Sequence, residues 1–330
     1  MNGTMNKQPL LSICIPTWNR VKFLSISLES FLGHFSDLAD SSELELIVSD
    51  NCSEDETPEV VNSYIGKGLP ISYYRHEKNK GAAANFLYCM NIAKGKYILL
   101  LGDDDILKSR SIKFILDQLR GKDYGLVHIH VFDDMNMKTK VYDNAEEFLC
   151  KVSFWITFMS GSIFRKDIVD EIEPQKYINT HLLQVPYYIT SAVSKKENLI
   201  ISENIMDAGL DSSNNGGYNF YEVFVQHYLN IWNEFVEKGK ISKFTYEHIK
   251  KDIYVNFIVD FNYKLLLRKK NVMSENKTYQ KNRKGFKVAN AKDILKKYYG
   301  NEVYYKFSWK KYIKLYLCEL KEQLKLYIKN

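Results

Sequence analysis

The chain has 330 residues, 45% hydrophobic and 26% charged, enough for one large α/β domain with an appendage or for two modest domains. Its 24 Tyr, 18 Phe and 4 Trp exclude a disordered chain, and 16 Gly, 6 Pro and five scattered cysteines exclude a collagenous or disulfide-scaffold protein. The formal charge of +6 is unevenly spread: residues 1–220 hold 22 Lys and Arg against 29 Asp and Glu, whereas residues 221–330 hold 24 against 11, which suggests an anionic partner for the C-terminal third unless its lysines are only a solvated face.

The first elements alternate in type. Residues 10–15 predict a strand ended by Pro16, and 21–32 a helix with Phe23, Leu24, Leu28, Phe31 and Leu32 on one side. Residues 44–48 predict a second buried strand, followed by the turn and cap residues Asn51, Ser53, Asp55 and Thr57, with Pro58 near the next helix start. Residues 71–74 predict a third strand, 82–93 a helix, and 97–101 a fourth strand that runs into Gly102-Asp103-Asp104-Asp105. This βαβαβαβ order predicts a mostly parallel sheet covered by helices. Its ligands belong outside the carboxyl ends of the strands, so the polar loops after Ile15, Val48 and Leu101 are expected to share one crevice. Further on, 126–132 predicts a strand, 155–164 an apolar stretch interrupted by Ser160-Gly161-Ser162, 182–193 a helix, and 207–217 a Gly- and Asn-rich loop able to order over a ligand. From Phe220 the pattern is helical apart from a basic break over 276–285.

Cys14, Cys52, Cys89, Cys150 and Cys318 stand singly, which points to a reducing compartment and against structural zinc. Residues 1–8 are polar and the apolar run after them is too short for a signal peptide or a membrane span, so the chain is expected to be cytoplasmic. His128 and His130 alternate on one strand face with Asp133 and Asp134 beyond; they read as core and edge residues rather than a zinc site.

Three adjacent carboxylates at a strand end repel one another unless a cation is present, and Mg²⁺ or Mn²⁺ favours such oxygens together with substrate phosphates. An exposed acidic cap before the helix expected near Ser109 is the plainer alternative. Pro16-Thr17-Trp18-Asn19-Arg20 offers an aromatic face, an amide and a guanidinium to a nucleotide, and Ser49-Asp50-Asn51 adds a carboxylate able to accept from a base N–H.

These segments, with Asn79-Lys80-Gly81 and Asn85, resemble in order and spacing the nucleotide-binding half of family 2 glycosyltransferases of the GT-A fold, over residues 11 to about 107. The L-G-D-D-D run is similar to abequosyltransferase-like members that build bacterial surface polysaccharides. The resemblance implies a GT-A domain over 1–218, with a nucleotide-binding half (1–107) and an acceptor half (108–218), and a basic helical region over 219–330. It implies that Pro16 and Trp18 flank the base, with Thr17, Asn19, Arg20, Asn79, Gly81 and Asn85 around the nucleotide. Asp50 would bond the base, Asp103 the ribose or metal, and Asp104, with Asp105 as a third carboxylate, would ligate Mn²⁺ or Mg²⁺. The family's usual D-x-D-D has its leading acid replaced here by Gly102.

Inverting members use a carboxylate as base some fifteen to twenty residues beyond the small-residue segment, where this chain reads Thr180-His181-Leu182-Leu183-Gln184. His181 is therefore the first candidate for the base, with Asp170 or Glu171 as fallback. The activity implied is transfer of a sugar from a nucleoside diphosphate sugar to a hydroxyl of a surface glycan, with a lipid-linked acceptor. An inactive nucleotide-sugar-binding or scaffolding subunit, or a sugar nucleotidyltransferase, are the competing readings. The C-terminal segment 309–328 carries Trp309, Tyr312, Tyr316, Leu320, Leu324 and Tyr327 among lysines, a pattern for an anionic membrane surface, for packing on the catalytic domain, or for a second subunit. No nucleic-acid recognition motif accompanies the charge.

Overall fold

A computed structural model of the chain describes residues 8–36, 38, 40–131, 137–209, 218–262 and 289–302. The backbone divides into two compact units, Met1–Ser212 and Ser213–Asn330.

The strands of the first unit are β1 (Leu11–Thr17), β2 (Leu44–Asp50), β3 (Ile71–Arg75), β4 (Tyr97–Leu100), β5 (Ile106–Leu107), β6 (Val127–Ile129), β7 (Lys140–Tyr142), β8 (Ser162–Arg165), β9 (Asn198–Ile201) and β10 (Met206–Asp207). Eight of them form one sheet in the order β3-β2-β1-β4-β8-β6-β9-β7, while β5 and β10 pair separately. From β3 to β4 the neighbours run parallel; β8 is antiparallel to both β4 and β6, β6 and β9 are parallel, and β7 closes the edge antiparallel to β9. Every residue of β1 and of β4 is buried, as expected of strands packed on both faces. The first-unit helices are α1 (Val21–Ser36), α2 (Thr57–Gly66), α3 (Ala82–Ile92), α4 (Ser111–Leu119), α5 (Ala145–Val152) and α6 (Gln184–Ser194). α1 lays Leu24, Leu28 and Phe31 into the core formed with Ile13, Ile15, Leu46, Val48, Leu99 and Leu101.

Pro16 does not end the first strand. β1 continues to Thr17, with Pro16 opposite Ser49 and Thr17 opposite Asp50. The carbonyl of Cys14 accepts from Leu101 N, so Cys14 faces β4, and Pro16, two residues on, directs its missing N–H to that same edge. Pairing with β4 stops at Cys14 while pairing with β2 goes on, and this splits the sheet at its carboxyl end. The interrupted apolar stretch over 155–164 takes the form of two 3₁₀ turns, Ser153–Thr157 and Met159–Gly161, leading into β8. β6 is shorter than expected, ending at Ile129.

The second unit is helical. A π-helical turn (Glu222–His227) continues into α7 (Tyr228–Glu237); α8 (Lys243–Ile253), capped by Ser242 Oγ on Thr245 N at 3.2 Å, runs into a second π-helical turn (Tyr254–Ile258); a further helix spans Ala291–Tyr299. Buried Trp232, Tyr228 and Phe220 make its core, with Phe220 stacked on Phe261 at 3.5 Å between ring centroids. The segments expected over 276–285 and 309–328, most of the loop over 207–217, and Asp133 and Asp134 lie outside the described residues.

Candidate active site

At the carboxyl ends of β1, β2 and β4 three polar turns are tied together by side chains. Asn19 adopts a left-handed backbone (φ 53°), which Asn tolerates; its N–H donates to Ser53 Oγ at 2.9 Å and its amide oxygen accepts from Glu54 N at 2.7 Å. Asp55 accepts from Val21 N at 3.0 Å and so caps α1 from a distant turn, while its other oxygen holds Thr57 at the start of α2. Asn51 donates to Asn79 Oδ1 at 2.9 Å and accepts from Lys80 N at 2.9 Å, and Asn79 Oδ1 also takes Gly81 N at 2.8 Å. The turns after β1, β2 and β3 are thereby one framework, and Thr17 Oγ1, donating to Asp103 at 2.7 Å, ties in the turn after β4.

Within it, the expected nucleotide residues divide into exposed and buried groups. Trp18 is 48% exposed, an uncommon position for an indole, and Asn19, Asn79 and Gly81 are also exposed. Pro16 and Thr17 are buried. Asp50 is fully buried: Oδ1 accepts from Ser53 N at 2.8 Å, Oδ2 accepts from Tyr73 Oη at 2.9 Å, and Arg75 Nε lies 3.2 Å away. Burial, and then the Asp50 carboxylate, push the Tyr73 phenol well up. Asn85 is buried too, spanning β2 and β3 by donating to Ser49 O and accepting from Ser49 Oγ at 2.6 Å, with His76 Nε2 at 3.2 Å. In this conformation Asp50 and Asn85 brace the turns from beneath and offer no exposed polar atom to a base.

The acidic turn follows β4. Asp103 accepts from Thr17 Oγ1 at 2.7 Å on one oxygen and from Arg20 Nε at 2.7 Å on the other, and Arg20 Nη2 reaches Asp104 Oδ2 at 2.9 Å. The guanidinium lies 4.8 Å from the centre of the Phe23 ring. Burial raises the Asp103 carboxyl against the opposing pull of Arg20 and Thr17. Asp105 points the other way. Its oxygens accept from Ser160 Oγ and from Gly209 N, the latter at 2.7 Å, and Ser160 Oγ in turn accepts from Gly102 N at 2.8 Å. Burial lifts its carboxyl from 3.8 to about 6, with the two donors acting in opposition and Asp104 and Asp103 adding to the rise. A side chain at Gly102 would put Cβ 2.7 Å from Asp105 Oδ2 and 3.2 Å from Asp104 Oδ1, so the space a leading acid would occupy is filled by the following carboxylates.

The three carboxylates thus have distinct surroundings. Asp103 and Asp105 are 6% and 4% exposed with both oxygens engaged, whereas Asp104 is intermediate in burial and shares one oxygen with Arg20. Among the described residues no cluster of three or more His, Cys, Asp or Glu is arranged around a metal position. Of the three, Asp104 is the carboxylate that would be left to hold a divalent ion, whose remaining ligands would then have to come from diphosphate and water.

On the other side of Asp105, Gln184 at the start of α6 donates to Thr157 O at 2.8 Å, so the head of α6 is anchored to the segment that carries Ser160. His181 stands three residues before Gln184, exposed, at φ 60°. Asp170 and Glu171 do not belong to this end. β8 runs antiparallel to β4 with Arg165 opposite Tyr97, so the turn Lys166–Glu171 lies beyond the amino end of β4, across the sheet from the acidic turn. That geometry removes both from the list of bases. A Cβ at Gly161 would meet Phe158 Cδ1 at 2.8 Å, so this position is closed by packing. His128 and His130 are buried at the end of β6; burial, and then His130, pull His128 down to about 3, and the His130 ring packs edge-on to Trp155 at 5.3 Å.

Three features of the site are invisible in sequence spacing: Ser160 and Gly209 closing on Asp105 from far along the chain, Tyr73 and Arg75 on Asp50, and Asp55 capping α1. Asp55 sits in a turn read from sequence as the cap of its own helix, Ser160 in the Ser160-Gly161-Ser162 interruption and Gly209 in the loop over 207–217, but none of them is paired in sequence with the residue it meets.

Comparison with known proteins places the chain among relatives and folds already described. An abequosyltransferase of Salmonella typhimurium is 35% identical over 107 residues, covering 32% of this chain and 31% of that protein. A GalNAc(5)-diNAcBac-PP-undecaprenol beta-1,3-glucosyltransferase of Campylobacter jejuni is 28% identical over 176 residues, covering 49% of this chain and 53% of that one. The chain therefore spans about a third to a half of the length of these relatives. Among solved structures, S. aureus TarS 1-349 in complex with UDP-GlcNAc superposes with a TM-score of 0.56 at 17% identity, over 74% of this chain and 71% of that one, a likeness of fold that identifies the first unit as GT-A. The family model for glycosyl transferase family 2 matches residues 12–176, half of the chain, and the chain belongs to that family.

Proposed function

We propose that the chain is an inverting glycosyltransferase that moves a sugar from a nucleoside diphosphate sugar, UDP-linked, to a hydroxyl of a bacterial surface glycan. The observation that carries this reading is the tie of Asp103 to both Thr17 and Arg20, which sets a guanidinium, the exposed Trp18 and Asp104 together at the sheet's carboxyl end. Trp18 offers its face to the base, and Arg20 a planar pair of donors to the diphosphate. A UDP donor is supported by the sugar nucleotide bound to the structural relative, and a lipid-linked acceptor by the undecaprenol-linked glycan in the name of the Campylobacter relative.

Asp104 would hold Mn²⁺ or Mg²⁺, an ion that, when bound, offsets the charge on the departing diphosphate. In the transfer the acceptor oxygen bonds to the anomeric carbon from the face opposite the leaving group. The bond from that carbon to the diphosphate oxygen breaks with its electron pair going to the nucleotide, and the acceptor proton passes to a base. His181 is assigned that role, being exposed and lying just ahead of the helix anchored beside Ser160. Asp50 and Asn85 keep the turns in register, and Asp103 orients Arg20. The excess of 24 basic over 11 acidic residues beyond 220 supports contact with an anionic membrane surface near the acceptor, as a peripheral association, since no described helix is long and apolar enough to cross a membrane.

The test is a panel of UDP-, GDP- and dTDP-sugars incubated with the protein and Mn²⁺, with released nucleotide as the readout. Release from one donor class that depends on Asp104 is the expected result. No release from any donor, with nucleotide binding intact, would assign the chain a binding role only.

A further inference from the structure

We propose that Arg20 is the resident counter-ion of the acidic turn and that it yields Asp104 to a divalent ion only when a nucleotide diphosphate gives the guanidinium a second seat. The inference rests on the donor-binding reading above and adds an order to it. Arg20 holds Asp103 Oδ1 through Nε at 2.7 Å and Asp104 Oδ2 through Nη2 at 2.9 Å, so one fork spans two adjacent acids. The group is largely withdrawn from water: the side chains of Arg20, Asp103 and Asp104 are 21%, 8% and 19% exposed. Its place is fixed on three sides, by the Phe23 ring beneath the guanidinium, by Thr17 on the far oxygen of Asp103, and by the left-handed Asn19 bound to Ser53 just before it.

Two consequences follow from charge. A divalent ion approaching Asp104 meets a cation already 2.9 Å from the same carboxylate, so the metal alone competes with Arg20 rather than adding to it. Expelling Arg20 into water would break two charge-assisted bonds with nothing in return. A diphosphate changes the balance, because its oxygens match the guanidinium fork and bring negative charge that both cations can share. Arg20 then turns from carboxylate to phosphate and the freed oxygen of Asp104 faces the metal. Such coupling is reciprocal in binding free energy: whatever nucleotide does for metal through this exchange, metal does for nucleotide.

The experiment measures Mn²⁺ binding by titration calorimetry and by the loss of the free-ion spin-resonance signal, first with Mn²⁺ alone and then with UDP or GDP present. Arg20→Gln should bind Mn²⁺ alone about tenfold more tightly than the parent, within the usual span of coupling between sites. Its affinity for UDP without metal should fall. Arg20→Gln/Asp104→Asn should lose the gained Mn²⁺ affinity, which places the ion at Asp104. Because Arg20→Gln leaves two acids uncompensated, its melting temperature is measured as well, and Mn²⁺ alone should raise it more than it raises that of the parent. Equal Mn²⁺ affinity in parent and Arg20→Gln, with UDP-dependent binding retained in both, would overturn the competition while leaving the transferase reading in place. Absence of Mn²⁺ binding in both proteins even with UDP or GDP would overturn the metal-assisted reading itself.

Discussion

Asp105 gives the site a pH signature that can be measured without knowing the substrate. Its carboxyl is buried between Ser160 and Gly209 and stands at about 6 against 3.8 when unperturbed, burial being the largest cause. A rise of about two units corresponds to roughly 3 kcal/mol between the protonated and ionised folded states. The sign follows from linkage: the folded chain holds this proton more tightly than the unfolded chain. The stability contributed by Asp105 is therefore fully present below about pH 4, lost as pH rises toward about 6, and unchanged above that. The perturbation is Asp105→Asn, which cannot titrate, and the assay is denaturant unfolding of parent and variant at steps from pH 4 to 8. Subtracting one curve from the other removes carboxylates common to both, leaving the direct neighbours Asp103 and Asp104 as the terms that can couple. The parent should lose about 3 kcal/mol relative to the variant between pH 4 and 7. A difference that stays flat across that range, or that moves in the parent's favour as pH rises, would refute the argument that burial governs this carboxyl.

Trp18→Ala should weaken UDP or GDP binding by about 1–3 kcal/mol, the range for stacking of a base on an aromatic ring, with no loss of melting temperature because the side chain is half exposed. Gly102→Ala should lower stability by about 1–3 kcal/mol and disturb donor binding with it, since its Cβ would crowd Asp105 Oδ2 at 2.7 Å and that oxygen is pinned by Ser160; a thermal melt and a UDP titration read both effects. His181→Asn keeps a residue that accepts the left-handed backbone while removing the imidazole, so turnover should fall by about 10²–10⁴ with nucleotide affinity intact; a fall under tenfold would take the base role from His181.

The half of the site that sequence discloses is the half built from strand ends. A buried parallel strand needs a continuous apolar run, and the turn that follows it must be polar, so Thr17 to Arg20, Asp50 to Asp55 and Gly102 to Asp105 announce themselves by contrast with their neighbours. What that contrast cannot show is which of the polar residues face the ligand. Asp50 and Trp18 look equally exposed on paper, yet Asp50 is fully buried under Tyr73 and Arg75, and Trp18 stands out into solvent. The difference lies in β3, whose Tyr73 and Arg75 are brought alongside by the register of β2 with β3, a long-range pairing with no local signature. The same reason hid the fate of the candidate bases. Distance along the chain puts Asp170 and Glu171 close to Ser160, but β8 intervenes and runs antiparallel to β4, carrying them to the opposite end, while the turn back into α6 returns His181 toward the segment held by Gln184 and Ser160. Strand direction is set by which edges pair, and in this sheet the parallel half and the mixed half meet between β4 and β8. Asp105 sits at that boundary, its side chain reaching Ser160 ahead of β8 and Gly209 after β10, so the acid that sequence grouped with the metal ligands is the one that fastens the nucleotide half of the site to the other.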